Sequence, residues 1–265
     1  AARKINVRHR YNGKRKQSVK SDDVCLNFPR IIELEGDHMA LVYSRHRQGA
    51  EPSYSVVISN DFGKTWVDAP PNHPMTDNVN NAGIMGYLRD GTIAYIDWSP
   101  LNIKWSPADG PYHWSALAKV EAPIFRFRRF SKKEELMEDS TSKVLNLPGK
   151  VAASYELYGT LIELENGDLL TALEAVVGTP PPDQHLRCTT FIVRSTDGGK
   201  TFKHVWTFSP EMDGKLVGDE GFDEPDLVVL ANGDILCMMR TGSRSPMYQS
   251  RSTDGGYTWS KPISI

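Results

Sequence analysis

The 265-residue sequence lacks most of the signatures by which function classes are read. It has only three cysteines, Cys25, Cys188 and Cys237, far apart, with no CxxC pair and no histidine at ligand spacing. That excludes a disulfide framework and a structural zinc, and leaves buried free thiols as the expectation. No apolar run approaches the roughly eighteen residues of a membrane span, so no such span is expected. Neither charge sign dominates: Lys+Arg total 31 and Asp+Glu 33, a net charge of −2, which excludes a uniformly basic nucleic-acid binder. The sequence as it stands contains no signal-peptide h-region. Nothing in it asks for a metal or an organic cofactor. What is present is an apolar content of 39%, enough for a sizeable core and too much for a disordered chain.

The even charge balance hides one local asymmetry. Residues 1–20 contain eight basic side chains (Arg3, Lys4, Arg8, Arg10, Lys14, Arg15, Lys16, Lys20) and no acidic one. A nucleic-acid-binding arm would interleave aromatics with these charges, and only Tyr11 is there. Residues 1–27 therefore read as a basic leader or a lysine-rich outer strand.

Internal repeats organise the remainder. An octapeptide S-x-D-x-G-x-T-[WF] occurs at 59–66, 195–202 and 252–259, placing Asp61, Asp197 and Asp254 at its third position. It reads as a tight turn. The Asp accepts backbone N–H groups, the Gly supplies a positive φ, and the aromatic packs back into the apolar layer. A second unit, two apolar strands around a Gly/Asp turn, recurs with turn glycines at 36, 91, 167 and 233. These spacings fit four-stranded blades at about 28–75, 76–150, 151–215 and 216–265. The fold class expected is all-β, a propeller of antiparallel blades. Unit two has the hairpin but no octapeptide; Ile124–Phe130 reads as a basic strand, and Ser131–Glu134 as a capping box opening a short helix to about Met137.

Strand direction then assigns faces. If each first strand runs down, the hairpin and octapeptide turns share the bottom, and first-strand starts meet second-strand ends at the top. The starts contribute Arg30, Asn80, Asn81, Glu156, Tyr158, Asp223 and Glu224; the ends contribute Arg45, Arg47, Asp97, Trp98, Glu174 and Arg240. Glu51, Asp77 and Arg244 come from loops, as does an aromatic group of Trp105, Tyr112 and Trp114. Glu224 and Arg240, on opposite strands of one hairpin, should return to neighbouring positions. Arginines and carboxylates converging on a propeller's mouth suit a small, polar, anionic ligand. Of the histidines, His38 falls by a bottom turn and His46 on the top face. His73, His113, His185 and His204 fall in loop-like segments.

These residues resemble the sialidase (neuraminidase) superfamily, whose Asp-box repeats are similar to the three octapeptides, and the resemblance spans residues 28–265. It implies a six-bladed propeller that cleaves a terminal acidic sugar, sialic acid, from glycoconjugates. An arginine triad holds the sugar carboxylate, a Tyr–Glu pair supplies the nucleophile, and an Asp acts as acid/base. A tyrosine nucleophile suits an anomeric carbon that already bears a carboxylate. Pro29–Leu34 is similar to the F-R-I-P-x-L segment and marks Arg30 as the first triad arginine. Glu224–Arg240 resembles the segment carrying the tyrosine's Glu partner and the second arginine, and Arg45 or Arg47 the additional pocket arginine. For the acid/base, this sequence offers Glu51 or Asp77; Asn81, Glu156, Tyr158 and Glu174 complete the substrate-binding set. The third arginine and the tyrosine would come from blades five and six, and six blades would need about 380 residues. The resemblance implies a glycan partner, no nucleic acid and a secreted or periplasmic setting. Two other readings are a non-catalytic glycan- or protein-binding propeller, and a same-family hydrolase for another sugar with Glu51 and Glu174 as acids.

Overall fold

A computed structural model describes residues 24–47, 53–71, 73, 75, 83–98, 124–149, 151–157, 159–177 and 187–265. Among these the regular elements are all strands. The first sheet is β1 (Val24–Glu33), β2 (Met39–Arg47), β3 (Ser53–Ser59) and β4 (Val67–Asp68), in that order. The second unit is β5 (Ile84–Tyr87), β6 (Ile93–Trp98), β7 (Ile124–Phe130) and β8 (Leu136–Leu145). The third is β9 (Val151–Glu156) and β10 (Ile162–Glu163), both on β11 (Leu169–Val177), then β12 (Cys188–Ser195) and β13 (Thr201–Phe208). A small hairpin, β14 (Glu211–Met212) and β15 (Lys215–Leu216), leads to the last blade: β16 (Asp223–Val229), β17 (Ile235–Arg240), β18 (Tyr248–Ser252) and β19 (Ile263–Ser264). The architecture is that of a β-propeller with four antiparallel blades. Blades two and three form one nine-stranded sheet, because β13 pairs in parallel with β8 through Thr201–Lys203.

Turn chemistry explains the hairpins. In blades three and four the N–H groups of Gly167 and Gly233 donate to the Leu164 and Leu230 carbonyls. Asn166 and Asn232 each receive the N–H two residues on, from Asp168 and Asp234 at 3.2 Å. The side-chain amides return to the same aspartates at 2.9 and 2.8 Å, so turn and register close together.

Apolar faces meet between consecutive blades. Ile32, Val42, Tyr95 and Phe130 join blades one and two. Phe125, Phe127, Phe191 and Phe202 join two and three, while Leu170, Phe208, Phe222 and Trp259 join three and four. Every residue of β12 is buried, as expected for a strand covered on both sides. Inner strands approach so closely that a side chain at Gly159 would strike the Pro225 carbonyl and Asp226; its φ of +85° is a further demand for glycine.

Three expectations are corrected. No helix follows Ser131. The Ser131 hydroxyl does accept amides, from Lys133 and Glu135 at 3.2 Å, but it closes a turn, and Leu136 onward pairs with β7. A cap satisfies only the first amides, whereas ladder pairing along β8 satisfies the segment. His204 lies within β13, not a loop; its Nε2 is 2.8 Å from the Thr207 hydroxyl. Finally, β1 begins at Val24, so Arg30 sits past the strand's middle and not at its start.

Candidate functional site

The two ends of the blades differ in chemistry. At one end, the register pairs Met39 with Ser59, Leu169 with Ser195 and Ile235 with Ser252, so each octapeptide begins beside a hairpin turn. The Phe62 N–H donates to the Asp37 carbonyl, and Arg194 links Asp168 of one hairpin to Gly255 of the next octapeptide. Here the aspartates are saturated. Asp61 accepts the Lys64 and Thr65 amides and the Ser59 and Thr65 hydroxyls at 2.7–2.9 Å. Asp254 receives the equivalent set from Ser252, Tyr257 and Thr258, and Asp197 from Ser195 and Thr201. The Thr65 amide, with the other donors, lowers the Asp61 pKa to about 2. Burial opposes the same shift at Asp254, but the Thr258 hydroxyl and amide carry it to about 2. These carboxylates are committed to the turn and have little capacity left for a ligand.

At the other end, Asp223 opens β16 opposite Arg240, which closes β17. The register slips between Asp223 and Asp226, which places Glu224 and Pro225 in a bulge, where a proline costs no ladder bond. Blade one repeats the device: its register slips between Asn27 and Arg30, around Phe28 and Pro29. Glu224 has φ +40°, a left-handed conformation costing a non-glycine residue on the order of 1–3 kcal/mol. The bulge carries its side chain to Arg240, whose Nη1 lies 3.8 Å from Glu224 Oε1, 2.8 Å from Glu220 Oε2 and in direct contact with Asp223. Arg240 Nη2 also donates to Ser243 Oγ at 3.3 Å. Glu174, near the end of β11 and 7% exposed, joins from blade three: its Oε2 accepts the Glu224 N–H at 2.8 Å.

Three carboxylates thus gather about one guanidinium, and a fourth, Glu174, holds the backbone beside them. Burial raises the Asp223 pKa well above the carboxylate range, aided by its bond with Glu220 and the charge of Glu174, and Arg240 only partly offsets this. At Arg240 burial works against the charge, but Asp223, Glu220 and Glu224 outweigh it and raise its pKa. Burial thus favours the neutral form of Asp223, a property suited to acid–base chemistry.

Several residues singled out from the sequence stand here: Glu224, Arg240, Glu174 and Asp223 are brought together. Arg30 stands elsewhere, on a cleft of about 260 Å³ with Ile31, Met85, Tyr87 and Gly159, and its buried Nε has no partner among the described residues. Asp97 is used internally: it pairs with Arg128 at 2.5 Å, and the Arg128 guanidinium lies 5.0 and 5.6 Å from the Tyr95 and Phe130 rings. Burial raises Asp97 to about 6 against the pull of Arg128 and Arg126. Glu51, Asp77, Asn80, Asn81, Trp105, Tyr112, Trp114 and Tyr158 lie outside the described residues. Arg45, Arg47 and Glu156 are placed by their strands alone, opposite Leu26, Val24 and Glu174. Glu220 was not foreseen; it follows the β14–β15 hairpin in a segment with no periodicity or motif. Among the described residues no group of three side chains is arranged to hold a metal, and no helix is long and apolar enough to cross a membrane.

Comparison with known proteins bears on the fold. The BNR/Asp-box repeat family matches residues 250–261, the third octapeptide. No curated protein matches the sequence. A Dyadobacter fermentans DSM 18053 protein of unknown function superposes with TM-score 0.62 at 19% identity, over 91% of this chain and 69% of that one. Trypanosoma rangeli sialidase in complex with the inhibitor DANA gives 0.53 at 15%, over 89% of this chain and 37% of the sialidase. A thermostable family-43 glycoside hydrolase gives 0.51 at 12%, over 89% and 75%. The chain spans well under half the length of that sialidase. The chain shares the β-propeller fold of these proteins, and its third octapeptide matches the Asp-box repeat.

Proposed function

We propose that the protein is an exo-acting glycoside hydrolase of sialidase type, cleaving a terminal acidic sugar from glycoconjugates. The observation that carries this reading is the Glu224–Arg240 pair, with Asp223, Glu220 and Glu174 around it, at the end of the blades opposite the Asp-boxes. Arg240 binds the sugar's carboxylate. Glu224 takes the proton from the nucleophile, and Glu51 or Asp77 protonates the leaving oxygen.

One observation favours a second reading, a hydrolase for a sugar without a carboxylate. Arg240 already meets three carboxylates of its own chain, so an anionic sugar must compete with them. A panel of fluorogenic sialosides, uronides and neutral pentosides tests both. The first reading expects release from the sialoside, reduced on the order of 10²–10³-fold in Glu224→Gln and Arg240→Ala. Release from the neutral glycosides alone selects the second reading, and an inert protein on the whole panel overturns both.

A further inference from the structure

Glu174 is chemically attractive as an acid or base: it is a buried glutamate beside the cluster. Its contacts point elsewhere. Oε2 accepts the backbone N–H of Glu224, the residue with φ +40°, and Cys188 lies near the same carboxylate on the strand paired with β11. Cys188 is itself fixed to the neighbouring segment, since its N–H donates to the Glu220 carbonyl and its carbonyl receives the Phe222 N–H. The Thr190 hydroxyl donates to the Phe222 carbonyl at 3.0 Å. Blade three therefore grips residues 220–224 on both sides of Asp223, by the backbone and by one carboxylate.

We infer that Glu174 is a positioning residue: its carboxylate clamps the Glu224 amide in the left-handed conformation that turns the Glu224 side chain onto Arg240. The clamp explains a strained residue at a bulge where a glycine would fit without strain. The catalytic part of this inference rests on the glycosidase reading above, whereas the clamp does not.

The test compares Glu174→Gln with Glu174→Ala. Glutamine keeps an acceptor oxygen for the amide but cannot transfer a proton; alanine removes both. Hydrogen exchange at the Glu224 amide, measured by NMR, should stay protected in Glu174→Gln and accelerate by about tenfold or more in Glu174→Ala, with global unfolding monitored in parallel. On whichever glycoside is cleaved, Glu174→Ala should lose about 10²-fold in kcat with little change in KM, and Glu174→Gln, which keeps an acceptor for the amide, should lose about tenfold less. Equal exchange in all three proteins overturns the clamp. A Glu174→Gln protein as inactive as Glu174→Ala, with its amide still protected, makes Glu174 a participant in the chemistry and overturns the positioning role. If no glycoside is cleaved, the exchange measurement alone decides whether the clamp exists, so its failure is separable from failure of the enzymatic reading.

Discussion

Asp254 and Asp223 belong to the same blade and differ almost completely in environment. Asp254 is exposed and surrounded by donors, so its charge is satisfied within the turn that contains it. Asp223 is buried, with other carboxylates and a shared arginine as neighbours. One arrangement consumes the hydrogen-bonding capacity of an aspartate, while the other leaves it in tension. The repeated motif is therefore scaffold, and the unrepeated strand ends carry the reactive groups. Conspicuous recurrence in a sequence is a guide to architecture more than to chemistry.

The comparison can be broken from the scaffold side first. Gly199 has φ +94°, and a Cβ there would lie 2.6 Å from the Phe127 ring of the neighbouring blade. Gly199→Ala should lower the unfolding free energy by about 2–4 kcal/mol, measured by urea denaturation. Asp197→Ala removes bonds that are exposed to solvent, and a loss of about 1 kcal/mol is expected in the same assay. If Asp197→Ala cost as much as Gly199→Ala, the turn's carboxylate would be doing more than closing its own loop.

Opposite pH slopes sharpen the comparison, with the smallest effects. Asp61 and Asp254 have folded pKa values depressed to about 2. Their contribution is present above the unfolded value near 3.8 and is lost as pH falls towards 2. Asp223 has a raised pKa, so the folded state binds the extra proton. Its contribution is complete below the unfolded value and declines as pH rises through the folded one. Asp254→Asn should flatten the acid limb of a Tm–pH curve, and Asp223→Asn the decline on the other side. A common slope for both variants would erase the distinction.

Legibility in the sequence followed locality. The Asp-boxes and the Asn-Gly hairpins were readable because their hydrogen bonds close within five residues. Glu224 and Arg240 were readable because a hairpin returns its own ends to one place. Ser131 misled for the same reason: its local bonds were foreseen, but whether the chain then coils or extends is decided by β7, several residues away. Glu220 and the grip of Glu174 on Glu224 depend on contacts between blades, which no local pattern announces. Asp97 looked like a site residue because a charge at a strand end is normally solvated. Arg128, an alternating position of β7, turns inward and takes it out of the mouth.

The parallel pairing of β8 with β13 has a consequence for life in a concentrated solution. An outermost strand ordinarily offers a free row of amides and carbonyls to any passing chain. Blades two and three shield part of those outer borders against each other, and near the axis the Leu161 N–H donates to the Met85 carbonyl. Blade one ends in β4, only two residues long. The arrangement that joins two blades therefore also covers part of an edge on which a foreign strand could grow.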